Sequence, residues 1–278
     1  MDTNILLQNN MPIDDFEGLS PNLMHQLLYH PFSGNSAVSI KQKIDNATLN
    51  SIPLFNTVEV FLQIVQREQS IKLTPLGALP KKFVVEIYQK GFIPEYIIES
   101  GLYKLNHEDG AISIRSARLT AEIAGLVKKV HGKISLTKKG EKYLLPANRD
   151  ACFKLFFEKF ITNFNWGYND GYENDNLGQF GWAYTIFLLN KYGNEPYKGK
   201  YYAELFYKAL PQLFELGTET DHIKNLNCYD TRVFSRFLSW FGLVKLAPIE
   251  GNKLNFLGDN FYIKTPLVSA VFDFEEID

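Results

Sequence analysis

Apolar residues recur along this chain at three- and four-residue spacing, broken by short stretches of β-prone residues around glycine turns. That rhythm predicts amphipathic helices joined by small hairpins. Ser20-Pro21 offers a helix N-cap followed by proline in the first turn, and Leu23, Met24, Leu27 and Leu28 then form one apolar stripe up to Pro31. Residues 33–50 are polar and without period, which predicts an extended connection. Asn56 or Thr57 can cap a second helix carrying Val58, Phe61, Leu62 and Val65 on one face. Phe83, Val84, Ile87 and Tyr88 repeat the spacing until Gly91, and a short helix runs from Pro94 to Gly101.

A helix is expected over Ile112–Ile123, followed by Val127–Val130, the turn His131-Gly132, and Lys133–Thr137, two β-prone segments that read as a hairpin. Lys138–Leu145 closes this stretch with a helix that Pro146 ends, and the polar run Ala147–Asp150 is the best domain boundary. Beyond it, Phe153, Phe156, Phe157, Phe160 and Phe164 mark an aromatic helix. A loop rich in Gly, Asn and Asp follows, then helices around Trp182–Leu189 and Tyr202–Leu213, and residues 217–229 read as loop. Asp230 or Thr231 can cap a helix carrying Val233, Phe234, Phe237, Leu238 and Phe241. The expected organisation is an N-terminal helical arm and connection (1–50), a basic domain (51–148) and an aromatic-rich domain (149–278).

Two stretches share a plan. Gly125-Leu126-Val127 leads into a hairpin and Leu136-Thr137-Lys138-Lys139-Gly140, while Gly242-Leu243-Val244 leads into a second hairpin and Leu254-Asn255-Phe256-Leu257-Gly258. Leu73-Thr74-Pro75-Leu76-Gly77 is a weaker third copy. In each full copy an amphipathic helix ends at a glycine that tolerates the left-handed conformation, and the chain returns through a β-wing. This plan resembles the winged-helix family, in which a recognition helix precedes the wing. The resemblance covers about 40 residues in each half and implies a fold that is mainly α with short β-hairpins, in tandem winged-helix-like units, and a role in DNA or protein binding. The opening segment, with Gly18-Leu19-Ser20-Pro21, Met24-His25 and Pro31-Phe32, is similar to an uncharacterised bacterial family.

Composition changes this picture in one respect. The chain has 278 residues, 45% of them hydrophobic, and a net charge of −2, so it is globular rather than disordered and not basic throughout. Yet Ile112–Leu145 alone carries eight bases against two acids, leaving the remainder strongly acidic. Arg115 and Arg118 share a helix face, and Lys128, Lys129 and Lys133 lie on the wing, where phosphates can be neutralised. These five are the expected nucleic-acid contacts, with double-stranded DNA as the partner. The alternative is a protein partner, or self-association through the aromatic C-terminal half. Arg232, Arg236 and Lys245 are the few bases near the second helix and wing, which argues against two DNA readers.

No catalytic, cofactor or metal signature accompanies the basic segment. His25, His30, His107, His131 and His222 fall in no ligand spacing, and no phosphate loop or nucleophile elbow occurs. Asp170, Glu173 and Asp175 sit in a loop with Trp166, Tyr168 and Tyr172, a mixture suited to sugar or calcium but more simply a turn-rich loop. The expectation is a non-enzymatic binding module without metal or cofactor. Cys152 and Cys228 are expected as buried free thiols of a reducing compartment. A cytoplasmic location without membrane contact is expected from the lack of a basic N-terminal region and of any long apolar run.

Overall fold

The computed structural model describes residues 8–33, 36–173, 176–214, 218–249 and 260–275. The chain is mainly α-helical with short antiparallel sheets. In order it forms α1 (Pro21–Tyr29), β1 (Val38–Ile40), α2 (Asn46–Asn50), α3 (Pro53–Glu68), β2 (Ile71–Lys72), α4 (Lys81–Tyr88), α5 (Tyr96–Glu99) and α6 (Ile112–Ile123). The hairpin strands β3 (Val127–Val130) and β4 (Lys133–Leu136) precede α7 (Lys138–Tyr143) and α8 (Arg149–Thr162). Next come α9 (Trp182–Tyr192), β5 (Tyr197–Lys198), α10 (Gly199–Ala209) and α11 (Glu219–Tyr229), which continues without a break into a π-helical stretch, Asp230–Leu238. The chain then adds β6 (Val244–Leu246), β7 (Phe261–Lys264), α12 (Leu267–Val271) and β8 (Phe272–Phe274). Among the described residues no helix is long and apolar enough to cross a membrane.

Packing divides the chain into two compact units that are discontinuous in sequence. One comprises Lys43–Asn169 with Trp240–Gly242, the other the residues up to Gln42, Asp170–Ser239 and those from Leu243 on. The aromatic helix α8 therefore packs with the basic segment, whereas the polar run at 147–150 had suggested a break before it.

In the first unit α3 buries Leu54, Phe55, Val58, Phe61, Leu62 and Val65. Its stripe begins earlier than Asn56 or Thr57 because Pro53 occupies the first turn, where a missing N–H costs nothing. Phe153, Phe156, Phe157 and Phe160 of α8 are fully buried, each contributing roughly 1.5–3 kcal/mol of transfer free energy. The Phe241 ring lies 5.1 Å from those of Phe157 and Phe160, edge to face. The sheet has the order β2-β4-β3. His131 and Gly132 both take positive φ (49° and 72°), which gives the hairpin the twist of a tight two-residue turn.

The second unit repeats the arrangement with the sheet order β5-β7-β6. It adds the ladder β1-β8, in which Val38 pairs with Phe274 and Ile40 with Phe272. Trp182 sits in its core against Phe237 and Phe272. The two copies close their helices identically. Gly125 and Gly242 both have φ 69°, Leu126 N donates to Ala121 O (3.0 Å), and Leu243 N donates to Leu238 O (2.8 Å). Thr137 N donates to Leu126 O and Thr265 N to Leu243 O at 3.0 and 2.9 Å, so Thr265 occupies in the second copy the position of Thr137 in the first.

Several expectations are corrected. The expected return of the second copy at Leu254–Gly258 lies outside the described residues; among those described, the strand that pairs with β6 is β7. Residues 33–50 hold β1 and α2, the latter capped by Asp45, whose side chain accepts from Thr48 N at 2.7 Å. Residues 217–229 include α11, started by a reciprocal capping box between Thr218 and Asp221. Asp230 and Thr231 are interior to that continuous helix and do not cap it. Leu73–Gly77 is a turn after β2, not a third unit.

Candidate functional site

Three exposed lysines share the outer face of the β2-β4-β3 sheet of the first unit. Lys128 pairs across the ladder with Ser135, Val130 with Lys133, and Lys133 in turn with Lys72 on β2. Residues directly opposite in an antiparallel pair share a face, as do residues two apart on one strand. Lys72, Lys128 and Lys133 therefore stand together on the outer face, around Val130 and Ser135, while Ile71 and Ile134 turn into the core. All three lysines are exposed, and among the described residues none has a carboxylate within ion-pair distance. Lys72 and Lys133 are directly opposed like charges, an arrangement that weakens a sheet.

Lys129 points to the other face. Its Nζ lies 2.7 Å from the position a Cβ would take at Gly77, so the side chain crosses the Thr74–Gly77 turn, beside the nearly fully exposed Leu76. Among the remaining bases of this stretch, Lys139 donates from Nζ to the Ala124 carbonyl at 3.0 Å, neutralising the C-terminal end of α6.

The two arginines have other duties. Arg118 is 5% exposed, and its guanidinium donates from Nε and Nη2 to the two oxygens of Glu108 (2.6 and 2.9 Å) and from Nη1 to Glu122. Glu108, 1% exposed, also accepts from Leu79 N at 3.1 Å, so one buried carboxylate ties the loop before α6 to the start of α4. Burial opposes the Arg118 charge, but Glu108 and Glu122 outweigh it and hold the group protonated. Arg118 cannot reach a nucleic acid; that expectation is corrected by its burial. Arg115 is partly exposed, yet it donates to Asp109 (2.9 Å) and to the Tyr168 hydroxyl (2.7 Å) and lies 4.7 Å from the Tyr168 ring centroid. Along α6 Ile123 is exposed, and Ile112, Arg115, Leu119 and Glu122, which share one face, are half-buried.

The structure thus brings Lys128 and Lys133 together, sets Lys129 apart, buries Arg118, and engages the partly exposed Arg115 with Asp109 and Tyr168. Lys72 is the addition that sequence reasoning missed. Its signal was the alternation Ile71-Lys72-Leu73, a half-buried strand whose polar member faces out.

The two described carboxylates of the acidic loop differ in setting. Asp170 accepts from Arg232 Nε and Nη2 at 2.9 and 2.8 Å and from Arg236 at 3.2 Å, Glu173 is exposed, and Asp175 lies outside the described residues. Phe153, Phe156, Phe157, Phe160, Phe234, Phe237 and Phe241 of the aromatic-rich half are buried. From residue 149 onward the exposed large hydrophobics among the described residues are Tyr168, Ile223 and Ile249. Cys152 and Cys228 are free and buried, and burial pushes both thiols up to about 12, so neither is a thiolate at neutral pH.

Residues 50–150, from the start of α3 through the wing to the first turn of α8, match the family model described as the Y4jL N-terminal domain. No curated protein and no solved structure matches the chain.

Proposed function

We propose that the chain is a non-enzymatic binding module of two winged-helix-like units whose first wing docks on the phosphate backbone of double-stranded DNA. The observation that carries this is the outer wing face: Lys72, Lys128 and Lys133 exposed side by side without acidic partners. The order helix, short strand, helices, hairpin, with sheet orders β2-β4-β3 and β5-β7-β6, supports the winged-helix reading of both units. A polyanion would also relieve the repulsion between Lys72 and Lys133. Contact through the wing lysines reads phosphates and not base edges, and binding is insensitive to sequence.

A second reading, an acidic protein, is favoured by Val130 on the same face, 51% exposed. Fluorescence anisotropy with random duplexes across a salt series separates the two. Wing docking gives a log–log slope that becomes shallower by about 2.7 when Lys72, Lys128 and Lys133 are all changed to Gln, at about 0.9 per phosphate contact. No binding at low salt, or a slope unchanged in the triple variant, removes the DNA reading.

A further inference from the structure

The turn that follows β2 carries an apolar side chain that the fold does not use. Leu73 N donates to Gly132 O at 2.8 Å, so the chain leaves β2 beside the hairpin tip His131-Gly132. It then reverses through Pro75–Gly77. Thr74 N donates to Ala78 O at 2.9 Å, Gly77 N to Thr74 O at 2.8 Å and Ala78 N to Thr74 Oγ1 at 3.1 Å. Gly77 takes the left-handed conformation, φ 77°, that closes a three-residue loop, and Pro75 presets its own φ. Leu73 and Leu79 on either side are buried, whereas Leu76 is 92% exposed. The loop is thus pinned at both ends and presents one branched apolar side chain to solvent. Nothing in this closure requires leucine, because its hydrogen bonds run through backbone atoms and the Thr74 hydroxyl.

The charges around this tip are all of one sign. From Ser70 to Val85 the bases are Lys72, Lys81 and Lys82 with no acid, and from Val127 to Leu136 they are Lys128, Lys129 and Lys133, again with no acid. They also stand on two sides. Lys72, Lys128 and Lys133 share the outer face of the sheet, while Lys129 lies on the other face, its Nζ 2.7 Å from the position of a Cβ at Gly77. A flat anionic surface would engage one of these sides, but a cleft with two anionic walls engages both. The major groove of a duplex is such a cleft, about 12 Å wide, bounded by two phosphate strands and able to admit a two-stranded β-ribbon. The apolar groups that its floor offers are the methyls of thymine.

We infer, resting on the reading of this wing as a DNA contact, that the hairpin end of the β2-β4-β3 sheet enters the major groove. Leu76 packs there on thymine methyl groups, and the lysines of the two faces meet the two flanking strands. The lysines alone give binding insensitive to sequence. Leu76 adds a dependence on how many methyls the groove floor carries, in whatever order.

The test is fluorescence anisotropy of the full chain at low salt with two short duplexes of one A·T-rich sequence, one built with thymine and the other with uracil in its place. The two differ in the floor methyls alone. Burying one methyl tightens binding about fourfold, so the thymine duplex should bind at least about fourfold more tightly. Leu76→Ala, at a solvent-exposed position, should bring the thymine duplex to the affinity of the uracil one and leave the uracil duplex and the salt slope unchanged. In a G·C duplex, 5-methylcytosine in place of cytosine should restore the preference for the wild type and not for Leu76→Ala. Salt-dependent binding with equal affinity for both A·T-rich duplexes, or a thymine preference that survives Leu76→Ala, would overturn the place of Leu76 and leave the lysine contacts standing. Binding to neither duplex would remove the DNA reading itself, and this inference with it.

Discussion

Arg118 and Lys133 belong to the same basic stretch, yet one holds the fold together and the other weakens it. Arg118→Met leaves Glu108 charged and buried without its partner, and should cost about 3–5 kcal/mol in urea unfolding. Replacing both Arg118 and Glu108 by Leu should recover most of that loss. Lys133→Glu should act in the opposite sense. It turns the Lys72 cross-strand repulsion into an attraction and should stabilise the unit by about 0.2–1 kcal/mol, while weakening duplex binding. A Lys133→Glu variant less stable than wild type would contradict the geometry of the outer face. In the sequence these two cations were indistinguishable. Glu108 lies ten residues before Arg118 in a segment with no periodicity, so nothing local marks it as the buried partner. Strand alternation around the turn His131-Gly132 separates Lys129 from Lys128 and Lys133, which a count of bases along the sequence had grouped together.

Helix ends show what local chemistry can specify. Gly140 lies inside α7, where alanine normally stabilises a helix by about 1 kcal/mol. Here a Cβ would meet the Leu126 carbonyl oxygen at 2.0 Å, so Gly140→Ala should lower the melting temperature; a rise would contradict the close approach of α7 to the end of α6. The repeated Gly-Leu-Val was readable because a left-handed glycine and the following hydrogen bond are consequences of adjacent residues. The wing return of the second copy was not readable. Its pairing strand β7 is set by a ladder to β6 and β5 across a long intervening segment, and spacing from Gly242 carries no information about that register. Helix α11 was hidden because Asp221, Lys224 and Asn225 interrupt its apolar stripe; the signal that existed was the capping pair Thr218 and Asp221. The π-helical stretch that follows has no sequence signature we can identify.

At the scale of the whole chain, a near-neutral total conceals a strongly basic segment, and the charges that are paired set its acid response. In the second unit burial pushes the Glu17 carboxyl up, but hydrogen bonds from Tyr192 and Lys191 and the charges of Lys191 and Lys208 hold it below its ordinary 4.5. Because the folded value is the lower one, this contribution is complete above about pH 5 and disappears as pH falls through the folded value. The segment Asp14–Glu17, also held by Lys208 and Asp15 at 3.0 Å, should loosen in that range, seen as an NMR transition that Glu17→Gln abolishes. Persistence of the contact at pH 2 would contradict the assignment. The central claim concerns the wing, and the most direct measurement is an amide chemical-shift map of the ¹⁵N-labelled chain with a short random duplex at low salt. The account predicts the largest perturbations at Ile71–Leu73 and Val127–Leu136 and small ones along the buried interior of α6. Perturbations absent from those strands, or concentrated in the second unit, would contradict it.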